Sequence, residues 1–496
     1  MERYTEEKYR SLYDAKENEL ERLREKSAES VWKPAYHIHP LYGLINDPNG
    51  LAYYNGEFHV FYQWYPFGAM HGMKHWAHVK SADLVNWERL PAALVPVEDY
   101  ESHGAYSGAS LEVDGNLYLY YTGNIKYSAE ERSANQCLAI MDQEGKIQKY
   151  KNNPIIEGVP QGYTGHVRDP KVFEKNGRYY MLLGAQCENL TGAIIVYESE
   201  NAIDWSFKGE LNLQIVFPDS VYMLECPDYF ELDGKDVLIF SPQGLKPEGC
   251  DYHNLYNVMY AVGHLDIEAL SFEPEHFQEL EKGFDFYAPQ TFAGKHNERL
   301  LFSWAGMGEI DYPSDKEDWA HCLSIPRELC LVDGKLAQRP ADMLKQLRVK
   351  SETSSVSIES GSLIIDEGIG QHELEFNFDT LDADVFGIEL FASEKEGLVL
   401  EFDRSSQAVS LNREKFASSF GGEYGFVRSS ELKIDSSVRV QVFVDHSIAE
   451  IFINDGEAVF TARVFPGKGS NGIRLFSDKK VSCTYTKHEL KQGITR

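Results

Sequence analysis

Tight turn dipeptides recurring at a long, regular interval constrain this chain more than any other feature. Asn55-Gly56 separates LAYY from EFHVFYQW, Asp114-Gly115 separates ASLEV from NLYLYYTG, Asn176-Gly177 separates KVFEK from RYYMLLG, and Asp233-Gly234 separates DYFEL from KDVLIF. A weaker fifth copy has His296-Asn297 between TFAGK and ERLLFSW. Such dipeptides between alternating strands signal hairpins, because a type I′ turn needs a positive φ that Gly and Asn tolerate. Successive copies lie roughly sixty residues apart, enough for four strands with their connections. A second echo keeps the same register: Ser81 to Trp87 (SADLVNW) resembles Ser199 to Trp205 (SENAIDW), two repeats later. The repeat predicts an all-β fold, a five-bladed β-propeller over residues 31–338, since radial repetition hides the strand edges an open sheet would expose. Two stacked sandwiches are the alternative.

Outside the repeat, residues 1–30 carry Tyr9, Leu12, Tyr13, Leu20 and Leu23 at helical spacing, predicting a short N-terminal helix from about residue 5 to 27. Residues 339–349 read as a linker helix opened by Pro340. Beyond them, 350–496 alternate as SLIID, HELEFNF, GIELFAS, VRVQVFVD and AEIFIND, with turns at Asn454-Asp455-Gly456 and Asp478, which predicts a C-terminal β-sandwich. With 48 Lys and Arg against 78 Asp and Glu, the net charge of -30 repels polyanions and argues against nucleic acid as a partner. No apolar run is long enough to span a membrane and the first residues are charged, so a cytoplasmic protein is expected. The seven scattered cysteines signal neither a disulfide framework nor a zinc knuckle.

So many acids make selection by eye worthless, but position within the repeat discriminates. Seven or eight residues before the turns stand Asp47, Ser107, Asp169 and Glu225. Equivalent positions on innermost propeller strands face one channel, so three carboxylates are expected to converge. A Pro follows each acid by one or two residues, in Asn46-Asp47-Pro48, Arg168-Asp169-Pro170 and Glu225-Cys226-Pro227, fixing the backbone there. Taken singly each is also a plausible turn-forming residue; three in register favour a site. Paired carboxylates, one ionised and one protonated, are what glycoside cleavage requires. Aromatics in or near these strands (Trp64, Tyr65, Trp76, Tyr106, Tyr287 and Trp304) suit the mixed faces of a sugar and equally suit packing between sheets.

The motifs INDPNG (45–50), FYQW (61–64), HGMKHWAHVKSADLVNW (71–87), YSG (106–108), RDP (168–170), ECPD (225–228), FYAPQT (286–291) and VDHSIAEIFINDGEAVFTARVFP (444–466) together resemble glycoside hydrolase family 32, over about residues 33 to 490. That family comprises invertases, fructan hydrolases and bacterial sucrose-6-phosphate hydrolases, and the HG-x-K-x-W-x-H stretch is most similar to the last group. The resemblance implies a retaining β-fructofuranosidase in which Asp47 is the nucleophile, Glu225 the general acid/base and Asp169 the transition-state stabiliser. It implies carboxyl groups of Asp47 and Glu225 about 5 to 5.5 Å apart, and a fructose subsite lined by Asn46, Gln63, Trp76, Ser107 and Tyr287. Arg168 is expected either to keep Asp169 ionised or to form a purely structural ion pair. Leu44, where many relatives have Trp, and YSGAS, replacing the common FSGS, touch the pocket walls and leave chain-length preference open.

No cofactor is expected. A metal site is not signalled either, since His37, His39, His71, His75 and His78 lack a partnered ligand set. The expected partner is a small carbohydrate (sucrose, sucrose 6-phosphate or short fructooligosaccharides), with the protein a monomer or homodimer. A fructosyltransferase, an exo-fructanase and a non-catalytic sugar-binding propeller are the rival readings. A 6-phosphate would need local cations, for which Lys74 and Arg178 are the candidates.

Overall fold

The structure, a computed structural model, describes residues 6–495; the first residues of the expected N-terminal helical segment (1–5) and the last of the expected sandwich (496) lie outside the described residues. Five sheets, antiparallel but for one short added strand, follow one another through the repeat region. Each opens on a strand that carries its turn: Gly43–Tyr54, Ser110–Val113, Tyr163–Lys175, Met223–Leu232 and Tyr287–Ala293. The turn residues have the left-handed backbone the dipeptides called for, with φ of 50° and 83° at Asn55 and Gly56 and of 55° and 74° at Asn176 and Gly177. The echoed segments are one local structure used twice. Ser81 accepts the Asp83 N–H and Asp83 those of Val85 and Asn86, as Ser199 accepts that of Ala202 and Asn201 those of Ile203 and Asp204, with φ near 60° at Leu84 and Ala202.

The opening strands touch in a ring, each contacting the next and Tyr287–Ala293 contacting Gly43–Tyr54. Apolar clusters fill the spaces between neighbouring sheets. Phe61, Trp76, Leu119 and Tyr121 join the first and second, and Tyr120, Val172, Met181 and Ile195 the second and third. Tyr180, Leu182, Leu238 and Phe240 join the third and fourth, and Ile239, Tyr260, Leu301 and Trp304 the fourth and fifth. Phe58, Val60, Leu300 and Phe302 join the fifth back to the first. Short strand Trp319–Ala320 pairs in parallel with Gly43 and Leu44 of the first sheet, while Cys322–Leu323 pairs with Trp304 and Ala305 of the fifth. One segment of chain thereby stitches the last sheet to the first.

The N-terminal helix is shorter than its periodicity predicts. Only Glu19–Ala28 is α-helical, preceded by a 3₁₀ turn at Leu12–Asp14. Asn18 adopts φ 59°, and the preceding residues spend their polar groups elsewhere: Leu12 N–H on His75 Nε2 at 2.9 Å, Arg10 on Glu19. The joint also differs. Pro340 ends the edge strand Lys335–Pro340, where a missing N–H is tolerated, and the 3₁₀ turn begins at Asp342.

Residues beyond the joint form two six-stranded sheets that share one apolar core, including Phe376, Phe378, Phe386, Phe402, Val442 and Leu475. Buried charge fastens this part to the sheets before it. Asp445 accepts the N–H groups of Ala35, Tyr36 and His37, and Glu450 accepts Ile325 N–H at 2.7 Å and Arg327 Nε at 3.0 Å. The His37 ring bridges the two carboxylates at 2.8 and 3.0 Å. The motif around VDHSIAEIF therefore builds an interface, not a ligand site. All seven cysteines are free thiols, and no helix among the described residues is long and apolar enough to cross a membrane.

Candidate active site

Four of the five opening strands carry a one-residue bulge at the same depth: between Ile45 and Pro48, Arg168 and Lys171, Glu225 and Asp228, and Tyr287 and Gln290. A bulge re-aims side chains that strict alternation would send to opposite faces. It also corrects the register read from turn spacing. Arg168 pairs with Gly184 and Glu225 with Ser241, so Glu225 is the counterpart of Arg168, and Cys226 that of Asp169. Backbone geometry agrees, since Asp169, Cys226 and Ala288, each followed by Pro, all have positive φ (64°, 49° and 48°). Holding three non-glycine residues there costs about 1 to 3 kcal/mol each, strain of the kind that functional sites retain. Gly184 makes the close approach possible: a Cβ there would lie 2.2 Å from Leu224 O.

Around Asp47 the predicted residues form one network. Ser107 Oγ donates to Asp47 Oδ2, Asn46 Nδ2 to Asp47 Oδ1 at 3.2 Å and to Gln63 Oε1, and Gln63 Nε2 to Ser107 Oγ at 2.6 Å. Burial pushes the Asp47 carboxyl above its ordinary pKa, Ser107 opposes that rise, and the charge of Glu225 adds to it. Lys74, considered for phosphate, is instead part of this network. It is 5% exposed, with Nζ 2.7 Å from Asn46 Oδ1 and 2.9 Å from His71 Nδ1. Burial pulls its pKa down to about 7, against the attraction of Asp47.

Glu225 is held from both sides. Arg168 donates through Nε at 2.9 Å and through Nη2 to Oε1, while Gln243 Nε2 at 2.6 Å and the Tyr287 hydroxyl donate to Oε2. Arg168 thus grips Glu225; its distance to Asp169 is 4.0 Å, so it is not primarily the partner expected for that residue. Burial raises the pKa of Glu225, but Arg168 and Tyr287 outweigh it and hold the carboxyl below its ordinary value. Asp169 goes the other way, pushed up to about 7 by burial against the pull of Arg168, with the charges of Glu225 and Asp47 adding to the rise. Its carboxylate accepts Cys226 N–H at 3.1 Å, and its own N–H reaches Thr122 Oγ1 at 3.2 Å. Asp169 thus feels the charge of both other acids and Asp47 that of Glu225, so the protonation of one acid bears on the others.

Two expected residues fall elsewhere. Trp76 is fully buried, its indole N–H spent on the Tyr106 carbonyl at 3.1 Å, so it supports the wall from behind and presents no surface to a ligand. Arg178 lies at the hairpin end of its strand, far from Asp169, paired with Glu198 and Glu200. Trp64, Tyr65 and Trp304 are buried, and Tyr106 is half-buried. Gln243 and Thr122 carry no motif, and only the pairing of second strands brings them in. The cluster of metal-ligating type among the described residues, Glu373, Glu375 and His488, is occupied by Arg348, which donates to both carboxylates at 2.6 and 2.8 Å.

A family model for the glycosyl hydrolases family 32 N-terminal domain matches residues 37–340, and one for the family 32 C terminal matches 342–492. The chain belongs to glycosyl hydrolase family 32. Its similarity to other family members is nearly full-length. It is 37% identical over 489 residues to the sucrose-6-phosphate hydrolase of Staphylococcus xylosus, covering 98% of each chain. It is 39% identical over 477 residues to that of Streptococcus mutans serotype c, covering 95% of this chain and 96% of the other. The solved sucrose-6-phosphate hydrolase from Lactobacillus gasseri superposes with a TM-score of 0.90 at 36% identity, covering 99% and 100%. A Bombyx mori GH32 beta-fructofuranosidase superposes at 0.83 and 31%, covering 97% and 99%.

Proposed function

We propose that this family 32 protein is a retaining β-fructofuranosidase that releases fructose from sucrose 6-phosphate and sucrose. The observation that carries this reading is the approach of Asp47, Asp169 and Glu225 from three opening strands: Cys226, next to Glu225, donates to Asp169, and the charge of Glu225 acts on both aspartates. The ring of opening strands supports reading the five sheets as blades of one propeller (31–338), joined by 339–349 to a β-sandwich (350–496) that braces it. A cytoplasmic site of action agrees with the seven free thiols.

The chemistry follows from the electrostatics. Asp47, hydrogen-bonded by Ser107 and Asn46, attacks the anomeric carbon of the fructosyl ring as the bond to the glucosyl oxygen breaks, and Glu225 gives its proton to that oxygen. In the free site Glu225 is the more acidic of the pair. Fructosyl hydroxyls donating to Asp169 favour its ionised form, and the shared proton passes to Glu225, where it is needed. Once the glucosyl part leaves, Glu225 takes a proton from water, the resulting hydroxide attacks the same carbon, and Asp47 is released. Asn46 and Gln63 hold the nucleophile's surroundings fixed, while Arg168, Gln243 and Tyr287 aim the acid.

Cleavage of sucrose in methanol and water, followed by NMR, tests this directly. Methyl β-D-fructofuranoside is the expected product. The α anomer would overturn the double displacement, and the absence of any cleavage would overturn the activity.

A further inference from the structure

Beside the site, two cations stand without an ion-pair partner among the described residues. Lys126 and Arg132 are cross-strand neighbours at the open end of the second sheet. Arg132 packs on Gly165, where a Cβ would lie 2.9 Å from its Cγ, and so stands next to His166. His166 Nδ1 is 3.1 Å from Arg168 Nη1, and Arg168 holds Glu225. A line of side chains thus runs from the general acid outward to Arg132. The N-terminal segment closes over the same rim: Lys126 Nζ sits 5.2 Å above the Tyr9 ring, Tyr9 packs edge-on to His103 at 4.8 Å, and the adjacent Lys8 pairs with Glu6 at 3.0 Å.

Among the described residues neither Lys126 nor Arg132 forms an ion pair, and Arg132 Nε is buried without an acceptor. In a chain with 78 acidic and 48 basic residues, two adjacent cations lacking a carboxylate are an anomaly. They repel each other. Burial holds Lys126 below its ordinary pKa, with the charges of Arg132 and Lys8 adding to the shift and Tyr106 and Glu6 opposing it. A half-buried pair of cations with a spare N–H group, whose nearest carboxylate, Glu6, is paired with Lys8, suits a dianionic phosphate monoester, which Arg grips through two N–H groups.

Resting on the fructosidase reading, we infer that Lys126 and Arg132, with Lys8 at the rim, form the subsite for the 6-phosphate of the leaving glucosyl group. The leaving oxygen must lie against Glu225, and the path Glu225–Arg168–His166–Arg132 leads from there to these cations. This explains how an acidic protein admits a doubly charged substrate: the repulsion of its surface is cancelled locally, on the leaving-group side.

The test compares kcat/KM for sucrose 6-phosphate and sucrose in the wild type and in the Lys126→Gln, Arg132→Gln and Arg132→Lys variants, with calorimetric titration of glucose 6-phosphate into each. The wild type should prefer the phosphorylated sugar. Each Gln variant should lower the ratio of the two kcat/KM values roughly 10- to 100-fold, the range for losing a hydrogen bond to a charged group, and weaken glucose 6-phosphate in parallel, with Arg132→Lys recovering part of both. A wild-type ratio near one, or a ratio that survives both Gln substitutions, overturns the subsite. If the wild type cleaves neither sugar, the fructosidase reading fails by itself, and the glucose 6-phosphate titration still decides the subsite through loss or retention of binding in the variants.

Discussion

Changing Tyr287 to Phe removes a single hydroxyl, and its consequence for the pH profile can be worked out in sign and size. That hydroxyl donates to Glu225 Oε2, alongside Gln243 at 2.6 Å. A hydrogen bond to a charged group contributes about 1.5 to 3 kcal/mol, and 1.36 kcal/mol is one pKa unit, so losing it raises the affinity of Glu225 for a proton by about 1 to 2 pH units. Gln243 stays within 3.4 Å of the vacated position and takes up part of the load, which favours the lower figure. The acid works only while protonated. Activity is therefore present below its pKa and lost as pH rises through it, and a raised pKa carries the alkaline limb upward. The alkaline limb of the variant is therefore expected about one pH unit above that of the wild type. The assay is kcat for sucrose, which reports the enzyme–substrate complex, over roughly pH 5 to 10, with thermal melts confirming an intact fold. An alkaline limb that stays in place or moves down in a folded variant would refute the assignment of the shared proton to Glu225.

Three further outcomes are expected. Asp47→Ala should cut fructose release, followed by chromatography, by at least about 10⁴-fold, as loss of a nucleophile does elsewhere, without lowering the melting temperature, because burial disfavours the charge it removes. Lys74→Met should move the acid limb of the same pH profile upward, since Lys74 favours the ionised form of Asp47; a limb that moves down would show that Lys74 does not act through Asp47. Glu450→Ala should cost about 3 to 5 kcal/mol in urea unfolding by leaving Arg327 without its carboxylate in the interior and removing one of the two carboxylates that hold His37. Burial raises the pKa of Glu450, but Arg327 and His37 more than reverse it. Its stabilisation is therefore present above its unfolded pKa and lost as pH falls through its folded pKa, so the gap between wild type and variant should narrow in acid.

Legibility in the sequence followed the range over which each feature is determined. The hairpins are local, two residues of forced φ each, and Asn55-Gly56, Asp114-Gly115, Asn176-Gly177 and Asp233-Gly234 all turn where the dipeptides stand. Helical spacing from Tyr9 to Leu23 predicts too long a helix because it says nothing of competing partners: His75 takes the Leu12 N–H and Glu19 the Lys16 N–H, backbone groups that a longer helix would use internally. The part played by Asp445 and Glu450 is not legible in their motif, since their partners Ala35, His37 and Arg327 lie more than a hundred residues away. Trp76 fits a sugar wall by residue type alone; only packing reveals that Phe61 and Tyr121 enclose it.

The three acids are the instructive case, because turn spacing located them while aligning them wrongly. Counting back from the turn puts Asp47, Asp169 and Glu225 in one class, yet the strand pairing puts Glu225 with Arg168 and Cys226 with Asp169. In an unbroken strand that one-residue offset would turn Glu225 to the opposite face from Asp169. The bulge absorbs it, and the left-handed Cys226 also turns its N–H onto Asp169 at 3.1 Å. The offset has a chemical use. Had Glu225 stood at the Cys226 position, it would have met Asp169 without Arg168 as its pair, two buried like charges with no cation between them. Standing one residue earlier, it takes Arg168 for itself and leaves Asp169 the higher pKa of the two, which is the asymmetry a shared proton needs if one acid is to bind sugar and the other to deliver it.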